Sequence, residues 1–238
     1  MASSLSPLTA VQAKPYQWPH DSSFRPESTG LIIVDMQLDF CSAGGYLDSQ
    51  GLSVEPAMAI VPQIQRLLAA FRKAGFPVYH TREGHRPDLS TLSSRELLRS
   101  RNNASGRGIG DQGPLGRHLV RGEKGHDIIP ELQPLPSEPI IDKPGRSAFQ
   151  NTDLKLLLDN RRVKNLVICG VTTDVCVTST MRDANDMGLD CVLVSDASAA
   201  GEENLHQASV ETIKGEGGIF GAVTTSGELI SVLESWIP

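Results

Sequence analysis

The chain has 238 residues, a formal net charge of −6, and is 39% hydrophobic and 21% charged. This acidic balance, with no basic stripe, excludes a nucleic-acid footprint. No apolar run approaches the roughly 18 residues of a membrane-spanning helix, and the N-terminus lacks the basic start and apolar core of a signal peptide. Four cysteines, Cys41, Cys169, Cys176 and Cys191, have no CxxC spacing. They read as free thiols in a reducing cytoplasm, which is the expected location.

Residues 1–29, rich in Pro and Ser, read as an arm lying on the body or on a neighbour, and residues 30–238 as one domain. Leu31–Val34 is a continuous apolar run, hence a central strand. Val61–Lys73 carries the spacing of an amphipathic helix, and Pro77–Thr81 a second strand. Residues 82–127 are long, polar and glycine-bearing; so long a loop is a covering or contact segment. Its glycines have no strand and helix flanking them as a phosphate cradle requires. Ile140 opens a third strand that ends at Asp142-Lys143-Pro144. Thr152–Asp159 reads as a helix capped by Thr152. Leu166–Cys169 is a fourth strand, and Gly170 breaks it before a helix that carries Cys176. Cys191–Val194 is a fifth strand. Asn204–Lys214 and Gly227–Trp236 complete the chain as helices. Short apolar strands alternating with helices predict a three-layer α/β/α sandwich with a mostly parallel central sheet.

Three reactive groups follow three strands: Asp35 after the first, Lys143 at the end of the third, and Cys176 one turn past the fourth. In a parallel sheet, ligands bind beyond the carboxyl ends of the strands. Free amides and the helix dipole at that edge favour a thiolate. Each residue alone has a plain alternative: a turn aspartate, a solvated lysine, a buried core cysteine. Together they allow nucleophilic chemistry. The carboxylate takes the thiol proton, the ammonium lowers the thiol pKa, and the thiolate attacks a carbonyl whose oxyanion meets amides of the Gly170–Cys176 turn.

The segments LIIVDMQLDF (31–40), IIDKPGRSAF (140–149) and ICGVTTDVCVTST (168–180) resemble the three signature segments of the isochorismatase-like cysteine hydrolases. The resemblance covers Leu31 to the C-terminus. It implies an Asp35–Lys143–Cys176 triad, oxyanion donors from the amides of Thr172 and Cys176, a non-proline cis peptide at Val171–Thr172, and a homotetramer. Within the family, TREGHRPDL (81–89), GIGDQGPLGRHLVRGEKGHDIIPEL (108–132), DKPGRSAF (142–149) and GGIFG (217–221) are similar to biuret hydrolases. That branch has lysine where this chain has Arg146, and a substrate-facing glutamine where it has Glu216. Arg146 and Glu216 are therefore expected at the substrate, opposite one another and able to pair, with Phe40 walling the pocket beside Asp35.

The family's nicotinamidases bind zinc through an aspartate and two histidines in a WHPxxH-type segment. Here the region reads YHTREGHRPD. His80 is expected to end a strand and His85 to make a loop hydrogen bond, with no metal and no cofactor. The function expected on this resemblance is an amidohydrolase of a small carbamoyl-urea, biuret or triuret, with release of ammonia. The alternatives are hydrolysis of ureidoacrylate or another N-carbamoyl amide, and a catalytically idle member that only binds a partner.

Overall fold

The computed structural model describes residues 9–236. Six parallel strands form the main sheet: β1 (Thr29–Val34), β2 (Val78–Glu83), β3 (Ile140–Lys143), β4 (Asn165–Val171), β5 (Asp190–Ala199) and β6 (Ala222–Thr224). Their order is β3-β2-β1-β4-β5-β6. The order reverses between β1 and β4, and at such a switch point the connections leave a crevice at the carboxyl edge.

The sheet is buried on both faces because its strands alternate between two cores. Leu31, Ile33, Val167, Cys169 and Val192 point to one side, where they meet α1 (Val61–Lys73) through Ile64, Leu67 and Phe71. Ile32, Val34, Leu166, Ile168 and Leu193 point to the other. There α2 (Leu154–Asn160), α3 (Thr178–Asp186) and α4 (Glu203–Gly218) supply Leu158, Met181 and Ile213. The last helix, α5 (Ser226–Glu234), joins α1 on the first face through Leu229 and Leu233. The continuous apolar runs of the sequence are thus two alternating sets read together.

The arm lies on the body over its described part. Lys14 and Val223 exchange backbone hydrogen bonds of 2.9 and 2.8 Å, which covers the edge of β6. Trp18 and Phe24 are fully buried, and Phe24 stacks 4.9 Å from Phe76. Residues 1–8 of the expected arm fall outside the described residues.

The 82–127 segment is more ordered than its composition predicts. It contains a helix at Ser94–Ser100 and a small hairpin pairing Gln112–Gly113 with Gly116–Arg117. Ser93 Oγ accepts a hydrogen bond from Glu96 N at 3.2 Å, so Ser93-x-x-Glu96 is a helix-start signal that polarity concealed. Thr152 is not the residue immediately before α2; Asp153 holds that place, and Thr152 Oγ1 accepts from Leu154 N at 3.3 Å. Strand β6, only three residues long, is an element that apolar runs do not announce.

Candidate active site

The site forms where four strands end. Asp35 follows β1 directly in the left-handed backbone region, φ 50°. Aspartate tolerates that conformation better than most residues. Thr81 on β2 fixes the carboxylate: its hydroxyl donates to Asp35 Oδ1 at 2.6 Å. Lys143 closes β3 and is fully buried. Beside β1, Gly170 has φ 108°, and a Cβ there would collide with the carbonyl oxygen of Val34. Glycine at this position lets β4 close on β1 and swing the chain over the sheet edge.

Cys176 does not sit in the regular first turn of a helix. The backbone from Thr173 to Val177 makes a wide turn, closed by Val177 N donating to Thr172 O at 3.2 Å, an i to i+5 bond. Helix α3 starts only at Thr178. Such single wide turns collect at functional sites. The peptide Val171–Thr172 is cis, as the resemblance implies. Thr180 Oγ1 donates to Cys176 O at 2.8 Å and accepts from Ala148 N at 3.0 Å, which seats the Arg146 loop against the cysteine turn.

These elements bring Asp35, Lys143 and Cys176 together. Lys143 Nζ lies 2.7 Å from Asp35 Oδ2 and 3.5 Å from Cys176 Sγ. A fourth group stands among them. Glu83, the last residue of β2, is register partner to Lys143 across β3. Its Oε2 lies 3.4 Å from Lys143 Nζ and accepts the Cys176 thiol hydrogen bond at 3.3 Å. Sequence reasoning missed Glu83 by ending the strand at Thr81, where Arg82-Glu83-Gly84 turns polar. The available signal was a carboxylate placed, like Asp35, at a strand end.

The electrostatics of this cage are set by burial. Burial by itself would strip Lys143 of its proton; Asp35, Cys176 and Glu83 outweigh it and hold the ammonium above its ordinary range. Burial raises the Asp35 carboxyl, against the pull of Lys143 and with a further push from Glu83. The thiol of Cys176 also moves up, through burial first; Lys143 opposes this, and Asp35 and Glu83 add to it. The expectation of a lowered thiol pKa is therefore corrected: one ammonium shared by two carboxylates does not offset desolvation. The resting group is a thiol, and its proton must leave as the sulfur attacks.

A cavity of about 430 Å³ opens above Cys176. Phe40, Glu83, Arg99, Arg146 and Thr172 line it, while Asp35 and Lys143 stand fully buried beneath. Arg146 does not pair with Glu216. Its guanidinium donates to Glu96 Oε1 at 2.6 Å, and Arg99 binds the same oxygen. Glu216 lies outside the cavity wall, exposed in the turn Gly215–Gly217 that interrupts α4, with φ 50°. Glu96 and Arg99 were missed with the helix that carries them.

His80 Nε2 lies 3.0 Å from Glu138 Oε2, and His85 Nδ1 3.1 Å from Thr91 Oγ1. Among the described residues neither belongs to a cluster of three metal-ligand groups. Asp35, Glu83 and Cys176 do converge, with donor atoms within 4.8 Å of one another. Lys143 Nζ contacts all three, so a cation already sits among them.

Residues 29–228 match the isochorismatase domain. The chain belongs to the isochorismatase family. It is similar to ureidoacrylate amidohydrolase RutB of Pantoea ananatis, 34% identical, over 82% of this chain and 79% of that one. The corresponding protein of Acinetobacter baylyi is 33% identical over 91% and 88%. Among solved structures, a cysteine hydrolase from Pseudomonas syringae pv. phaseolicola superposes with a TM-score of 0.77 and 30% identity, covering 98% of this chain and 99% of that one.

Proposed function

We propose that this isochorismatase-family chain is a cysteine amidohydrolase that cleaves a C–N bond of a small ureido compound. One observation carries the reading: the Cys176 thiol, 3.5 Å from the Lys143 ammonium, forms the floor of a cavity sized for a small molecule. Ureidoacrylate stands first as substrate. The names of relatives 33–34% identical over most of both chains support it. Arg99 and Arg146 on the cavity wall suit a carboxylate-bearing molecule. This order replaces the expectation that put biuret first. Biuret stays the second reading, on the likeness of residues 81–89 and 108–132 to biuret hydrolases.

In the proposed reaction, Sγ of Cys176 bonds to the carbonyl carbon while its proton passes to a carboxylate, the role the family motif gives Asp35. The carbonyl electron pair moves onto oxygen, where the amides of Thr172 and Cys176 receive it. Collapse expels the nitrogen as an amine and leaves a carbamoyl or acyl thioester. Water then displaces the sulfur and restores the thiol. A homotetramer, measured by sedimentation, belongs to the same proposal. The test is ammonia release from ureidoacrylate, biuret, triuret, allophanate and nicotinamide. Turnover of a ureido compound upholds the reading; inactivity on all of them favours a member that only binds a partner.

A further inference from the structure

We propose that Glu83, rather than Asp35, receives the Cys176 proton and delivers it to the departing nitrogen. This rests on the hydrolysis proposed above and assigns a proton carrier within the same site. Three observations lead there. Glu83 Oε2 is the acceptor of the thiol hydrogen bond, at 3.3 Å. Glu83 lines the cavity where a substrate nitrogen would lie, whereas Asp35 is fully buried beneath it. Asp35 is already committed: Thr81 binds Oδ1 at 2.6 Å, and Lys143 stands 2.7 Å from Oδ2.

The position of Glu83 is also fixed on both sides of its backbone. Its amide donates to Gln37 Oε1 at 2.7 Å, and its carbonyl accepts from Gln37 Nε2 at 3.1 Å. Gln37 thereby continues β2 past its last strand partner and aims the carboxylate at the sulfur.

The step balances. As the S–C bond forms, the S–H bond breaks, its proton moves to Glu83 Oε2, and the carbonyl π pair moves to oxygen. As that pair returns, the C–N bond breaks and the nitrogen takes the proton from Glu83. In the second half Glu83 takes a proton from the attacking water, and the departing sulfur recovers a proton. Asp35 acts throughout as the fixed counter-charge of Lys143.

The experiment compares Glu83→Gln with wild type on a ureido substrate, whose amine needs a proton to leave, and on 4-nitrophenyl carbamate, whose phenolate does not. Near neutral pH the variant is expected to lose roughly 100- to 10,000-fold on the ureido substrate. As pH rises and thiolate forms without a base, its nitrophenolate burst should approach that of wild type, while ureido turnover stays low. A variant within a few-fold of wild type on the ureido substrate overturns the proposal and returns the proton to Asp35. Equal losses on both substrates at every pH also overturn it and make Glu83 structural. A wild type that gives the burst but no ammonia refutes the ureido reading alone, and the burst comparison still judges Glu83. A wild type inactive on both substrates overturns both.

Discussion

The Thr81 hydroxyl donates to Asp35 Oδ1 at 2.6 Å while its oxygen accepts from the Asp35 amide at 3.2 Å. One side chain on β2 thus clamps both the backbone and the carboxylate of the residue after β1. Asp35 needs this because its φ of 50° carries it out of the strand conformation. Thr81→Val keeps the volume and removes both bonds. A hydrogen bond to a charged group contributes about 1.5–3 kcal/mol. We expect kcat/KM to fall about tenfold or more, and Tm to drop by several degrees, measured by ammonia release and thermal melting. Unchanged kinetics would show that the ion pair with Lys143 alone orients Asp35.

Cys176→Ser should abolish turnover, by at least about 1,000-fold, while retaining ligand binding, because a hydroxyl is a far weaker nucleophile in the same cage. Iodoacetamide should alkylate Cys176 before Cys41, Cys169 and Cys191, with substrate protecting it. Cys176 lines the cavity and the others do not. Burial also pushes the Cys41 thiol up to about 12. Peptide mapping of the alkylated protein reads the order, and preferential modification of Cys41 or Cys191 would refute the assignment.

Arg146 and Arg99 share one oxygen of Glu96, at 2.6 and 2.7 Å. Two guanidiniums on one carboxylate leave positive charge at the cavity wall. Arg146→Ala should raise KM for ureidoacrylate about tenfold or more and for uncharged biuret much less. Glu216→Gln, in contrast, should leave the substrate ranking unchanged, since Glu216 is exposed in its turn. Steady-state kinetics on both substrates measure each effect. A changed ranking in the glutamine variant would bring Glu216 back to the substrate.

Burial holds the His126 ring down to about 4, with Arg82 and Arg121 pushing the same way against Asp142. Unfolded histidine takes its proton near 6.5. Between those values the unfolded chain binds more protons, so folding stability falls as pH drops through that window. His80, His85 and His206 are depressed by burial too and act in the same direction. Urea unfolding between pH 7 and 4 should show a loss on the order of 2 kcal/mol from His126, since each pH unit across a depressed pKa is worth about 1.4 kcal/mol. His126→Gln should flatten that slope. An unaltered slope would assign the acid sensitivity to the other histidines.

The sequence by itself determined the layered α/β architecture and the triad. Apolar runs such as Leu31–Val34 and Leu166–Cys169 can only be strands buried on both faces, and α1 was legible residue for residue because one helix face repeats every three to four positions. Asp35, Lys143 and Cys176 were legible because each follows such a run at the edge where strands end. Only the tertiary structure decided the rest. Glu83 became part of the cage through the register of β2 against β3, and register is a relation between segments 60 residues apart that neither segment carries alone. Arg146 chose Glu96 over Glu216 because the helix at Ser94–Ser100 folds back over the cavity. The thiol moved up rather than down because desolvation depends on what surrounds a side chain in space, and one buried ammonium divided between two carboxylates does not offset it.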